Sequence, residues 1–374
     1  MKLTIDPVRP DSDKPLYFDY ITEGIQHLIA SQNSDGSWGN KNSDPFQKIY
    51  YTTQVVQCLL KGGFPTTSEE IGKAFAFLDN FREPIAKHRA RFFLYIALDK
   101  LSEDEIRSYL EMLKRIQRED GSFYHEMKNL KEKEGTIDEW PEVRRGSFVF
   151  YSLHALHFLS MIDDQKYRSL APLKNEVWNK TWQMLLERMK KNSPHYTLLD
   201  PTSEHGDPEL TSYALGILQK KEYTIPNFSE VIKWLLDKQV AGSWLNSPKV
   251  TSFVIIDLSA FSFDNLLLPK VKKAISEGME WLISRKENWE KSANLTALAI
   301  SALISGNLFL NPGFQEAFFV NYSEVLRKEI KERERRIRRE EKKTIIQNIV
   351  FFILGLVVPL IIEYLLIPLF AAFL

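Results

Sequence analysis

Apolar positions spaced three to four residues apart recur from residue 16 to about residue 310, the period of helices that bury one side. Ile21, Ile25, Leu28 and Ile29 predict a first helix over Leu16–Ser31, and Ile49–Leu60, apolar on nearly every face, predicts a second. The alternation of a half-polar helix with a more apolar one then continues. Ile71–Phe81 is followed by Arg89–Leu101, Ile106–Arg118 by Ser147–Ile162, and Val177–Lys190 by Glu209–Gln219. Phe228–Lys238 is followed by Val250–Phe261, and Val271–Arg285 by Ala293–Ile304. A long polar insert, Tyr124–Glu142, interrupts the third pair. The period-two alternation expected of strands is not evident, so a βαβ protein is not expected.

One phrase punctuates these pairs. Leu28-x3-Gln32-x3-Gly36-x-Trp38 is matched by Leu113-x3-Gln117-x3-Gly121-x-Phe123. Leu235-x3-Gln239-x2-Gly242-x-Trp244 loses one loop residue, and Leu282-x3-Lys286-x2-Trp289 keeps the helix and the aromatic but not the glycine. Leu28, Leu78, Leu113, Leu185, Leu235 and Leu282 occupy comparable places about 50 residues apart on average. Recurrence at such a period is the signature of a repeat architecture. Asp35 and Trp38, which alone would resemble a site, are then read as parts of a joint between hairpins.

Six helical hairpins either stack into an open solenoid, which needs polar caps at both ends, or close on themselves. The second helix of each pair is apolar on most faces, as expected of a helix surrounded by others. The expected fold is therefore all-α: a closed α/α toroid of about six hairpins, followed by a charged helix and a transmembrane helix. The expected boundaries are an extended arm over 1–15, where Pro7, Pro10 and Pro15 block helix, the toroid over 16–312, a stalk over 313–343 and an anchor over 344–374.

From Arg327 to Lys343 ten Lys or Arg stand against five Glu, a basic and solvated helix with little apolar face. Thr344–Leu374 is then apolar almost throughout, and Ile345–Leu369 is long enough to cross a bilayer with Pro359 as a kink. A basic flank places the preceding domain on the cytoplasmic side, so a single-pass membrane protein is expected, with the bilayer as partner through 344–374. Glu363 within that segment suits a polar contact in a homo-oligomer, the far interface, or a protonated site in the membrane.

Composition changes this picture little. Forty-nine basic and 49 acidic residues cancel, which removes a global electrostatic case for nucleic acid. The lone Cys58, in an apolar run, excludes an internal disulfide and reads as a buried thiol. Twenty-four Phe, 14 Tyr and 8 Trp fit a dense helical core or an aromatic cavity. The polar, Pro-rich N-terminus is not expected to be a secretory signal.

The recurring phrases resemble the QW repeats of terpene cyclases of the squalene–hopene type and are similar to the repeats of protein prenyltransferase β subunits, over about residues 16–310. The resemblance implies an α6/α6 barrel whose inner helices surround an aromatic-lined cavity suited to isoprenoid chains. The cyclase motif Asp-x-Asp-Asp-Thr, whose middle acid protonates an alkene, is met here by Asp207-Pro208-Glu209-Leu210-Thr211. Glu209 replaces the acid and Leu210 the last Asp, so Glu209 and Asp207 are the catalytic candidates. The alternative is an ordinary helix start, with Asp207 as N-cap and Pro208 in the first position. The zinc ligands of the prenyltransferases are not matched: Asp207-x-Glu209 stands where Asp-x-Cys would be, and no His follows His205. No metal or cofactor is expected. His154 and His157, one turn apart, are read as packing within an apolar helix.

Arg144 and Arg145 open the third inner helix much as an acidic-x-Arg start does in those β subunits, and Arg89 and Arg91 open the one before. Arginine forks at helix N-termini favour a diphosphate, though surface charge is the plainer reading of all four. Phe148, Tyr151, Tyr213 and Phe253 are the candidate aromatic wall. The expected function is a membrane-anchored cyclase- or prenyltransferase-like protein whose cavity binds an isoprenoid or other lipid-like ligand, with acid-initiated chemistry left open. The alternative is a non-catalytic binding toroid or a membrane effector acting through its transmembrane segment.

Overall fold

The computed structural model describes residues 17–40, 43–82, 89–123, 145–191, 207–219, 228–311 and 313–318, together with Arg335 and Arg339. The expected arm, most of the charged helix and the whole apolar tail lie outside the described residues. Two compact units are distinguished, Pro15–Gln315 and a second made of Met1–Lys14 with Glu316–Leu374. The described residues of the second are helical.

The larger unit is all-α. Its first helices in each pair are α1 (Phe18–Ala30), α3 (Glu69–Leu78), α5 (Glu103–Ile116), α7 (Ala171–Lys191), α9 (Phe228–Asp237) and α11 (Leu268–Ser284). Their partners are α2 (Pro45–Lys61), α4 (Arg89–Ala97), α6 (Arg145–Met161), α8 (Pro208–Gln219), α10 (Pro248–Leu258) and α13 (Ala293–Leu310), with a single turn, α12 (Lys286–Trp289), before the last. The one sheet among the described residues is a two-stranded ribbon, β1 (Gln239–Val240) paired with β2 (Ser243–Trp244). All six sequence pairs are therefore helical pairs, with ends shifted by a few residues.

The partner helices pack on one another in succession: α2 on α4, α4 on α6, α6 on α8, α8 on α10, α10 on α13, and α13 on α2. Local sequence sets where several of them start. Asp44, Asp207 and Ser247 cap α2, α8 and α10, each followed by a proline at the first helical position, where its missing N–H costs nothing. The helices α13 and α1 also pack together. α13 is the one helix among the described residues long and apolar enough to cross a membrane. It is mostly buried in the bundle, as a core helix is.

The recurring phrase is the joint between successive first helices. At the end of α1, Gln32 Nε2 donates to the carbonyl of Gly36 at 3.0 Å and to that of Glu70, on α3, at 2.8 Å. Gln117 at the end of α5 repeats this on α7, reaching the carbonyl of Val177 at 2.9 Å. Gln239 after α9 reaches that of Ala274 on α11 at 2.8 Å. The glycine lets the next helix come close. Gly36 and Gly121 have φ of +85° and +86°, a region that favours residues without a Cβ, and a Cβ on either would overlap the carbonyl oxygen of Lys73 or Lys180.

The aromatic then turns inward. Trp38 Nε1 donates to the carbonyl of Leu28 at 2.6 Å, and its backbone N–H to Thr52 Oγ1 on α2 at 3.0 Å. Trp244 does the same with Leu235 at 2.7 Å and Thr251 at 3.1 Å. Both rings are fully buried. In the fourth copy Trp289 Nε1 donates to the carbonyl of Leu282 at 2.8 Å. Lys286 stands there in place of the glutamine and donates to Glu23 Oε2 of α1 at 2.6 Å.

Candidate functional site

A cavity of about 360 Å³ is lined by side chains from all six partner helices. α2 supplies Tyr50, Thr53, Gln54, Gln57 and Lys61; α4 supplies Arg89, Ala90, Phe93 and Ala97; α6 supplies His154, His157 and Met161. Across from these stand Glu209, Leu210 and Tyr213 of α8, Phe253, Ile256 and Asp257 of α10, and Leu298 and Ser301 of α13. Helix starts meet at one end, where Glu209 of α8 pairs with Lys249 of α10 at 2.7 Å. Helix ends meet at the other, where Lys61 of α2 donates to Ser305 of α13.

The wall is mostly apolar with a polar band through it. Tyr213 Oη lies 2.9 Å from His157 Nδ1 and 3.2 Å from His154 Nδ1. The phenol has one proton, so it donates to one imidazole and accepts from the Nδ1–H of the other. Burial holds His154 neutral, well below the ordinary histidine range, and the charges of Arg89, His157 and Lys249 act in the same direction. Burial likewise raises Tyr213 well above the usual phenol value, with Asp257 and Tyr50 adding to it and Arg89 opposing. Phe93 packs edge-on to His154 at 5.5 Å and tilted against His157 at 5.1 Å, which fixes both imidazoles.

The expected site residues divide. Glu209, Arg89, Tyr213 and Phe253 all line the cavity. Asp207 does not: its Oδ1 accepts the backbone N–H of Glu209 at 2.7 Å and of Leu210 at 3.1 Å, the bonds of a helix cap. Arg91, two residues from Arg89, projects from the opposite side of α4 and is fully buried. Its guanidinium stacks over Tyr95 at 4.2 Å, with Glu105 at 3.6 Å and Asp79 at 3.8 Å. Arg144 lies outside the described residues, as do the side chains of Arg145, Phe148 and Tyr151 at the start of α6. Among the described residues no group of three or more His, Cys, Asp or Glu is placed to hold a metal ion.

Several wall residues were not anticipated, and a signal for them exists. Gln54, Gln57 and Lys61 fall at positions i, i+3 and i+7 of α2, one polar stripe beside the buried Val55, Val56, Cys58 and Leu59. A polar stripe on a helix enclosed by others has nowhere to face but an internal space. His154 and His157 form the corresponding stripe on α6.

Compared with known proteins, the chain matches no family model, and no curated protein matches it.

Proposed function

We propose that residues 16–312 form a closed α/α toroid whose central cavity binds an isoprenoid or other lipid-like ligand, and that residues 344–374 hold this domain at the cytoplasmic face of a membrane. The observation that carries the reading is the cavity itself. Each of the six partner helices contributes to it, its wall is mostly apolar, and its volume of about 360 Å³ lies in the range that encloses small molecules, roughly 300–1,000 Å³. Closure is supported by the succession of packed pairs, which begins at α2 and returns to it. Lys286 supports it too, by tying the last hairpin to α1 much as the other joints tie α1 to α3, α5 to α7 and α9 to α11.

The chamber is read as a binding site rather than a site of acid-initiated cyclisation. Alkene protonation needs a carboxylic acid that keeps its proton, whereas Glu209 is the acceptor of an ion pair with Lys249 and Asp207 is occupied as a cap. Nor do the described arginines gather as a diphosphate site would require, since Arg91 turns away from Arg89. The apolar tail and its basic flank support the membrane reading by length and charge alone.

The test is to purify the full chain from membranes in mild detergent and identify co-purifying small molecules by mass spectrometry. Ala90→Phe and Ala97→Phe, which add a ring to the cavity wall near either end of α4, serve as controls. A lipid-like species is expected at near-stoichiometric amount in the parent and reduced roughly tenfold in at least one variant. A parent that carries no such species, or variants that carry as much as the parent, would overturn the reading.

A further inference from the structure

Within the chamber, the Tyr213–His154–His157 cluster is unlike its surroundings. It places three hydrogen-bonding side chains of α6 and α8 in the cavity wall, with the apolar ring of Phe93 packed against both imidazoles. Packing alone does not call for it, because an apolar trio of the same volume would be at least as stable. Thr53 of α2 gives a second and separate indication. It lines the same cavity at 2% exposure, and its Oγ1 is buried without a hydrogen-bond partner. A buried hydroxyl left unsatisfied is costly, and such groups in native structures need an explanation.

The two features line the same chamber. Tyr50, one turn before Thr53 on α2, acts electrostatically on Tyr213. The cluster carries no net charge, since burial keeps His154 neutral and Tyr213 protonated. At the mouth, Arg89 and Glu209 act on Tyr50 with opposite signs, so no single charge dominates there either. A ligand that buried an ionised headgroup against this cluster would lose its hydration for neutral partners, and the charges that reach Tyr213, Asp257 and Arg89, are of opposite sign. A ligand with a single hydroxyl would instead meet the remaining lone pair of the Tyr213 oxygen, whose one proton is held by an imidazole, together with the Thr53 hydroxyl in the same chamber.

We propose that Tyr213, held between His154 and His157, together with Thr53 of the same chamber, is a specificity site that recognises an uncharged hydroxyl group on the lipid-like ligand. The proposal rests on the chamber reading above and narrows it from lipids in general to neutral, singly polar ones. Tyr213 is the contact residue; His154 and His157 position its hydroxyl.

The experiment uses the full chain in detergent and three probes of equal chain length: farnesol, the hydrocarbon farnesene and farnesyl diphosphate. Affinities are read from quenching of intrinsic tryptophan fluorescence and checked by calorimetry. Farnesol is expected to bind at least tenfold more tightly than either other probe. Tyr213→Phe should remove about tenfold of that affinity while leaving farnesene unchanged, which a general loss of fold would not do. Thr53→Val keeps the shape and deletes the orphan hydroxyl. It should weaken farnesol and raise the melting temperature of the ligand-free protein, so it remains informative even where Tyr213→Phe folds poorly. Equal binding of farnesol and farnesene, or loss of both together in Tyr213→Phe, would overturn the specificity site and leave the chamber standing. Tightest binding of farnesyl diphosphate would also overturn it, pointing to Arg89 in place of Tyr213. Binding of none of the three would overturn the chamber reading and the specificity site with it.

Discussion

At the first and third joints, Trp38 and Trp244 make the same kinds of bond, to a carbonyl near the end of the preceding helix and to a threonine of the next, about two turns into α2 and one turn into α10. In the wall of the cavity no such correspondence holds. The matching faces of the partner helices carry Gln54 and Gln57, Phe93, His154 and His157, Tyr213, Asp257, and Ser301. The contrast follows from what each region has to satisfy. A joint fits a backbone carbonyl and a helix packed close by, and these demands are the same wherever two hairpins meet. The cavity wall has no backbone partner to satisfy, so its residues are free to differ from unit to unit.

If the joints are structural and the wall is not, truncation at a joint should cost the most. Trp244→Ala removes a fully buried indole and its bond to Leu235, an expected loss of about 3–5 kcal/mol. Phe253→Ala, in the wall, opens an existing cavity further and should cost well under half as much. Urea unfolding of both variants checks the difference. Comparable losses at the two positions would erase the distinction between the regions.

The glycines give the next largest effect. Gly121→Ala places a Cβ against the Lys180 carbonyl at a positive φ, and the strain and overlap together should cost about 2–4 kcal/mol. Gly72, on α3, has open space where a Cβ would go. Gly72→Ala should therefore be neutral or stabilising by up to about 1 kcal/mol. Two glycine-to-alanine changes of opposite sign, read by thermal melting, would show that close approach rather than glycine content makes the joint.

The same contrast decides how much could be read from the chain. The joints were legible because Gln, Gly and Trp recur at nearly fixed spacing, and the helical pairs because their apolar periods are long and regular. The chemistry of the wall was only half legible. Glu209 is named from its place in Asp207–Thr211 and Arg89 from the start of its helix, and both line the cavity with Tyr213 and Phe253, but Arg91 is grouped with Arg89 although two residues along a helix turn a side chain by about 200°. His154 and His157 read as packing from α6 alone, and they do pack against Phe93, but their hydrogen-bond partner Tyr213 lies on another helix 56 residues beyond His157. A pairwise contact across the centre of a bundle leaves no local pattern.

Acidity separates the regions in a second way. His154 takes its proton well below the ordinary value of 6.5, because burial first, and then Arg89, His157 and Lys249, oppose the charge. The unfolded chain protonates first, so the stability His154 leaves intact above pH 6.5 is lost progressively as pH falls below it. The slope is at most about 1.4 kcal/mol per pH unit from this group. At the first joint the Asp35 carboxyl is lowered from 3.8, since the hydrogen bonds from Ser37 and the charge of Lys48 together outweigh burial. Its contribution is present above that value and is lost only as pH falls through it. His154→Gln should thus flatten the melting temperature between pH 6.5 and 5 and leave the decline below pH 4 in place. A parent protein whose melting temperature does not move between pH 6.5 and 5 would contradict the burial of a neutral histidine in the wall.

The smallest expected effect concerns the joint that departs from the pattern. Lys286 replaces the glutamine of the other copies, and an ion pair with Glu23 at 2.6 Å replaces a bond to a backbone carbonyl. Its side chains are 27% and 58% exposed, so the pair is screened by solvent and should contribute no more than about 1 kcal/mol. Glu290, at 3.4 Å on the other side of Lys286, shares the charge and reduces the loss when Glu23 is removed. Glu23→Gln should therefore lower stability slightly at low ionic strength and not at all in about 1 M salt, where the screening length falls to about 3 Å. Gln117→Ala at an ordinary joint removes the donor to the Thr181 hydroxyl and one of the donors to the Val177 carbonyl, which still accepts from Thr181 Oγ1, and should cost roughly 1–3 kcal/mol at either salt concentration. A joint that is salt-sensitive beside others that are not would mark the contact of α12 with α1 as the one made by charge, where the other joints are made by an amide donor to a backbone carbonyl.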